Sequence, residues 1–370
     1  MKLFSLDNIL SPPPSPISPI HSGRRIDVDL SLGEPRRDVH PHSWYKQLAG
    51  IEGINFYYPS EGDPELISLI RRVKYPERAF DDLCITVVNG AIHGLDLIFR
   101  THLVPGDEVL LPDPGFPPYR ELVHFSGGVP RYYPMTLGKG AFCDIAALES
   151  AITDRTKFVL INSPHNPTGK TLTSADIQSL SGLMAKYPGL KFISDEVYQS
   201  MVFDQKPFHS LAASTTNGFV VNSLSKSHSL QGMRIGWIMA PHTLMQSLNP
   251  YLQNAIGCVS SVGQELAKIA LANSRFMPRF EEARDLASEI LDYYGVSYIK
   301  PEGGFFIMVK VGDDCGMSRQ LQAAGIKVIP GSVFGQRGAG HVRVSFCQSN
   351  QFIRDAYTRL GKYLTRKGID

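Results

Sequence analysis

Residues 222–237 read NSLSKSHSLQGMRIGW. Lys226 stands among small hydroxyl residues, directly after the apolar run GFVVN, and Arg234 follows eight positions later. A Ser-Lys-Ser run alone is also the composition of a solvated loop. Here it carries a specific chemistry. Ser223, Ser225 and Arg234 suit an anion such as a phosphate, and a guanidinium can grip two oxygens at once. Beside them, Lys226 offers a nucleophilic amine able to form a Schiff base with a carbonyl cofactor.

The surroundings of this tract repeat one pattern. Short apolar runs (LCITVV, DEVLL, KFVLI, LKFIS and GFVVN) read as buried parallel strands from about Asp81 onward. Helix-like segments at 91–103 and 173–187 lie between them. Such alternation predicts an α/β fold, a largely parallel sheet covered on both faces. Ligands of these sheets sit at the carboxyl ends of the strands. A long amphipathic stretch follows at 274–294, then SYIKPEGGFFIMVKV, IKVIPG and HVRVSFC, and a terminal helix at about 350–366. These read as a second, smaller α+β domain. The expected division is a Pro-rich arm at 1–25, a large domain at 46–270, and a discontinuous small domain at 26–45 and 271–370.

Two further tracts end apolar runs. INSPHNPTGK (161–170) closes on Pro-Thr-Gly turn material, and KFISDEVYQS (191–200) puts Asp195 and Tyr198 just past a strand. A lone Asp there also reads as a helix cap. Together the three tracts meet one requirement. A pyridine ring is an electron sink only while its nitrogen stays protonated, and a paired carboxylate keeps it so. The ring's phenolate oxygen needs donors, which an Asn amide and a Tyr hydroxyl supply.

In these residues the chain resembles the class I/II aminotransferases, the fold-type I pyridoxal-phosphate enzymes, of the aspartate-aminotransferase type. The likeness runs from LSLGEP at 30–35 to RVSF at 343–346. The resemblance implies a Schiff base at Lys226 and a partner for the pyridine nitrogen in Asp195. It implies Asn166 and Tyr198 on the phenolate oxygen, and Phe116, in LPDPGFPPY, stacked on the ring. Asn89, Gly90, Ala91 and Ile92 match a phosphate-holding turn at a helix start. Ser223, Ser225 and Arg234 match the other phosphate contacts. Tyr57, in FYYPSEGDPEL, matches a tyrosine that reaches the neighbouring subunit's phosphate, with Tyr58 the adjacent alternative. Arg343, in HVRVSFC, resembles the clamp for a substrate α-carboxylate, and Gly33, in LSLGEP, a pocket-lining glycine where a side chain would clash. Ile92 and Met233 depart from the commonest pattern, a polar residue and a Trp, which bears on subfamily and substrate.

The implied reaction is transamination between an L-amino acid and a 2-oxo acid on pyridoxal 5'-phosphate, in a homodimer with shared active sites. A lyase, decarboxylase or oxidase on the same scaffold is the alternative, since this fold hosts several carbanion fates. A sensor domain of a transcription regulator is a distant third, because only about 30 residues precede LSLGEP, and they are Pro-rich.

The bulk properties agree. The 370 residues are 43% hydrophobic and 19% charged with a net charge of +2, giving no reason to expect nucleic acid. Arg24, Arg25, Arg36 and Arg37 cluster near the N-terminus and read mainly as solvated surface. Five cysteines, at 84, 143, 258, 315 and 347, form no Cys-x-x-Cys pair and argue for a reducing compartment. No 18-residue apolar run suggests a membrane span, and the interrupted apolar start is too short for a signal peptide. The expected location is cytoplasmic, and no metal is expected.

Overall fold

The computed structural model describes residues 26–35, 42–77, 80–213, 217–273 and 280–369. The Pro-rich arm at 1–25 and the four clustered arginines lie outside the described residues. The chain opens with a short strand, β1 (Val28–Asp29), and helices α1 (His42–Leu48) and α2 (Pro64–Lys74). Asp63 caps α2, accepting the Leu66 N–H, with Pro64 in the first turn where no backbone donor is needed.

Alternation then sets in: β2 (Leu83–Val88), α3 (Gly90–His102), β3 (Glu108–Asp113), α4 (Pro118–Phe125), β4 (Val129–Pro134) and α5 (Ile145–Ser150). It continues through β5 (Thr156–Asn162), α6 (Ser174–Lys186), β6 (Lys191–Asp195), β7 (Gly218–Ser223), the one-turn α7 (Leu224–Ser227) and β8 (Gly236–Pro241). Helices α8 (His242–Met245), α9 (Leu248–Ile256) and α10 (Ser261–Ala272) follow. The seven strands form one sheet, ordered β2-β8-β7-β6-β5-β3-β4. Only β8 runs against the rest, pairing antiparallel with both β2 and β7.

Burial on both faces explains why these strands are continuous apolar runs. Along β5, Val159 and Ile161 join one apolar cluster, while Phe158 and Leu160 join the other. Helix α6 starts where it does because Thr173 and Asp176 form a reciprocal capping box.

The chain then builds α11 (Glu281–Tyr293), β9 (Tyr298–Ile299), β10 (Phe306–Lys310), α12 (Asp314–Ala323), β11 (Ile326–Lys327), β12 (Ile329–Pro330), β13 (His341–Ser345) and α13 (Asn350–Arg366). An antiparallel sheet, β12-β13-β10-β9, carries a third apolar cluster. The N-terminal segment joins this layer. β1 pairs parallel with β11, the Ser345 N–H donates to the Leu30 carbonyl at 2.9 Å, and Val28 and Leu30 enter the same cluster. Trp44 of α1 instead packs into the cluster beneath the large sheet.

Candidate active site

Strands β5, β6 and β7 end on Asn162, Asp195 and Ser223, and the pairing register places Asn162 beside Asp195. A cavity of about 320 Å³ opens at these ends and is closed from the other layer by Phe306 and Arg343. This is the edge where parallel α/β sheets hold ligands.

Asp195 forms the floor. Burial pushes its carboxyl up to about 6, against the opposing pull of the Tyr119 hydroxyl, the Val197 N–H and the Lys226 charge. Tyr119 donates to its Oδ2 at 2.7 Å and the Val197 N–H to its Oδ1 at 3.2 Å. Asn162 fixes the backbone: its amide donates to the Asp195 carbonyl at 3.0 Å and its Oδ1 takes the Asn166 N–H at 2.9 Å. Phe116 lies on the wall with its ring 5.4 Å from that of Tyr119. Tyr198 is buried, edge-on to Phe305 and Phe306.

Lys226 sits in α7, one turn past β7. Burial brings its amine down to about 8, and Nζ donates to the Gly33 carbonyl. An amine so depressed is partly neutral near pH 7 and available as a nucleophile.

The anion corner is built by α3. Its N-cap residue, Asn89, makes no side-chain cap bond, so the first-turn N–H groups carry the helix's partial positive charge toward the cavity. Ala91 and Ile92 line the wall, whereas Asn89 and Gly90 stand behind it. Gly90 has φ +77°, and a Cβ there would lie 2.4 Å from Arg234 Nη2. Only glycine lets the guanidinium rest against the helix start. Arg234, itself left-handed at φ 56°, donates to the Gln231 carbonyl at 2.8 Å and to the Asn89 carbonyl at 3.3 Å. Ser223 and Ser225 complete the corner. Ile92 brings a backbone donor but no polar side chain.

Arg343 closes the opposite side. It is fully buried between the rings of Phe306 and Phe334, at 4.0 and 4.8 Å. Its Nη1 donates to Asn166 Oδ1 at 3.0 Å and its Nη2 to the Ser31 carbonyl at 2.8 Å. Among the described residues no carboxylate pairs with it and its buried Nε has no partner. A buried cation without a counter-ion is costly and suits an incoming anion. Gly33 lines the cavity, but a Cβ there would meet only Phe306, at an ordinary 3.6 Å. The sequence reading expected a clash. None exists within the chain, so any clash would be with a bound molecule.

Tyr57 is absent from this wall: its ring is 90% exposed beside Gly257. The Tyr58 hydroxyl is committed within the chain, donating to Glu265 Oε1 at 2.7 Å. Sequence reading missed Tyr119, Asn162, Gln231 and Phe306. Tyr119 had a signal, since it follows Phe116 by three residues in the turn that enters α4. Asn162 ends the KFVLI strand, four residues before Asn166 in the turn that follows. Nothing in the sequence distinguishes Phe306 from a core aromatic. Among the described residues no cluster of His, Cys, Asp and Glu could hold a metal, and no helix is long and apolar enough to cross a membrane.

The mainly parallel sheet, the lysine turn after β7 and the smaller antiparallel layer define a fold-type I transferase. The sequence model of the aminotransferase class I and II family matches residues 25–360, and the chain belongs to that family. It is 33% identical over 360 residues to a probable aspartate/prephenate aminotransferase of Aquifex aeolicus, covering 91% of each chain. A probable N-acetyl-LL-diaminopimelate aminotransferase of Bacillus subtilis is 31% identical over 361 residues, 92% of this chain and 90% of that one. A mutant Thermus thermophilus aspartate aminotransferase superposes with a TM-score of 0.86 at 26% identity, over 98% of this chain and 100% of the other. The protein is an aminotransferase, an enzyme that transfers amino groups, of a pyridoxal-phosphate-dependent family.

Proposed function

We propose that the cavity holds pyridoxal 5'-phosphate at Lys226 and moves the amino group of an L-amino acid to a 2-oxo acid. The observation that carries this is the opposed pair of buried groups in one cavity: Asp195, an anion at the floor, and Arg343, a cation without a counter-ion. The donor set fits the cofactor. An ionised Asp195 would hold the ring nitrogen's proton, Asn166 and Tyr198 the phenolate oxygen, and Phe116 one ring face. The first turn of α3, through Gly90, Ala91 and Ile92, would hold the phosphate with Ser223, Ser225 and Arg234.

When bound, the cofactor supplies a protonated ring that accepts the electron pair left by the departing α-proton. Arg343 orients the substrate by its α-carboxylate, with its unpartnered Nε one of the donors. Gly33 leaves room on that side. Lys226 Nζ, released as the amino acid arrives, takes the proton from the α-carbon and passes it on. Tyr119 and the Val197 N–H keep Asp195 ionised during this transfer.

Support for a homodimer comes from the exposed Tyr57, free to reach a second copy's phosphate while Tyr58 is held in its own chain. We propose a large domain from α1 through about 270 and a small one from the N-terminal strand segment and residues 271–370. Trp44 favours placing α1 in the large domain. Five free cysteines support a cytoplasmic location, and neither nucleic acid nor membrane enters this reading.

The test is a screen of amino donors against 2-oxoglutarate with the purified protein, alongside Lys226→Ala. The expected result is 2-oxo acid formation and a cofactor absorbance band that shifts on adding donor, both lost in the variant. Near-normal transaminase activity in Lys226→Ala would overturn the assignment.

A further inference from the structure

The segment Ser31–Pro35 brings Gly33 to the cavity wall, and every carbonyl oxygen in it accepts from a side chain, three of them from Arg343, Lys226 and Gln231 of the cavity lining. Arg343 Nη2 donates to Ser31 at 2.8 Å, and the Cys347 thiol reaches Leu32 at 3.7 Å and Glu34 at 3.3 Å. Lys226 Nζ donates to Gly33, and Gln231 Nε2 to Pro35 at 3.0 Å. The Gln231 amide also donates to Glu34 Oε1 at 3.2 Å. These tethers differ in permanence. On the functional reading above, Lys226 is diverted to the cofactor and Arg343 to the substrate carboxylate. A thiol is a weak donor. The Gln231 amide is the strong tether that the reaction does not draw on.

We infer that Gln231 is a positioning residue whose side-chain amide holds the Gly33–Pro35 segment against the 222–237 loop while Lys226 and Arg343 are engaged. Three features of the residue support this. Both partners of its Nε2 are acceptors, so the amide cannot turn over without opposing oxygen to oxygen. Its Oε1 is buried with no partner among the described residues, so no competing bond from that atom holds the side chain elsewhere. Its own carbonyl accepts Arg234 Nη1 at 2.8 Å, which links the segment to the anion corner through one residue. The tethered segment carries Gly33, one wall of the substrate space.

The test uses the full-length, cofactor-loaded enzyme and the amino donor found by the screen. Gln231→Met keeps length and removes both donors. It should raise the donor KM about ten-fold, far more than it lowers kcat, with cofactor absorbance and melting temperature near the parent's. Gln231→Glu sets a second carboxylate against Glu34 and should raise KM further. Adding Glu34→Gln restores a donor across the pair and should recover part of that loss. An unmoved KM in both single variants, or a loss that merely follows cofactor content and melting temperature, overturns the inference. So does a Gln231→Glu defect that Glu34→Gln leaves untouched. Parent enzyme inactive with every donor would instead reject the functional reading on which this rests.

Discussion

Lys226 carries a conflict between chemistry and folding. Burial lowers its amine from 10.5 to about 8. The unfolded chain therefore binds more protons than the folded one between pH 8 and 10.5. Stability rises with pH through that window and stands at its lowest contribution below it. At pH 7 the penalty is about 3 kcal/mol, less about 1 kcal/mol for the bond to the Gly33 carbonyl. Lys226→Met should abolish turnover yet stabilise the cofactor-free protein by about 2 kcal/mol at pH 7. Thermal unfolding across pH checks this, and the gap should close toward pH 10. Asp195 gives a second pH dependence. Its carboxyl, raised to about 6 by burial, must ionise to pair with a protonated ring. Cofactor affinity of the cofactor-free enzyme should fall as pH drops below about 6. Tyr119→Phe removes a bond that holds the carboxylate charged, so the fall should begin at higher pH. Absorbance titrations with pyridoxal phosphate read both limbs, and superimposable curves would refute the role given to Tyr119. Lys226 and Asp195 are legible in the sequence because one closely follows an apolar strand and the other ends one, each with a group that has no packing use there. Tyr119 is 76 residues from the carboxylate it holds, a distance that only the fold closes.

At the scale of elements, the anion corner depends on two glycines that let Arg234 and the start of α3 come together. Gly236 in β8 faces the start of α3: a Cβ there would come within 2.6 Å of the Gly90 carbonyl carbon and 2.7 Å of the Ala91 nitrogen. Both contacts are to backbone, so the helix itself would have to move. Gly236→Ala should cost about 2–3 kcal/mol and tilt the α3 start away from Arg234. Gly90→Ala adds left-handed strain to a clash with the guanidinium. Its expected signature is weakened cofactor retention with a smaller loss of melting temperature, since a flexible side chain can yield where a backbone cannot. Calorimetry and cofactor release measured on both variants test that ordering. The elements themselves were unevenly legible. The central strands stood out because both faces are covered, which removes polar alternation. Strand β4, VPRYYP, lies at the sheet edge with three exposed residues and two prolines, and gives no comparable run. The direction of β8 was also hidden, because a short connection through α7 is compatible with several returns to the sheet. Helix α6 was plain from its apolar spacing and its Thr173 start.

For the whole molecule, Tyr57 is a predicted site member that its own chain leaves facing outward. Phe56 and Tyr57 are 70% and 90% exposed, adjacent aromatics on a loop ahead of α2. Adjacent aromatics left outward in this way would suit a contact surface. A two-fold dimer would present the same loop from each copy to the other, so one contact would occur twice. In that arrangement the Tyr57 hydroxyl would donate to the phosphate in the partner's anion corner, where Ile92 supplies no side-chain donor. The neighbour's phenol would thus add a bond the chain's own turn lacks. Losing one hydrogen bond to a charged group costs about 1.5–3 kcal/mol. Tyr57→Phe should therefore speed cofactor release by about ten- to a hundred-fold. Its melting temperature in the cofactor-free state should stay unchanged, because the hydroxyl touches nothing within its own chain's core. Tyr58→Phe is the control: it should disturb the Glu265–Lys268 pair and leave cofactor release alone. Sedimentation of the dilute enzyme completes the test. Dimers that hold cofactor until they dissociate are expected, and a monomer with full activity would rule out a shared site and the role of Tyr57 together.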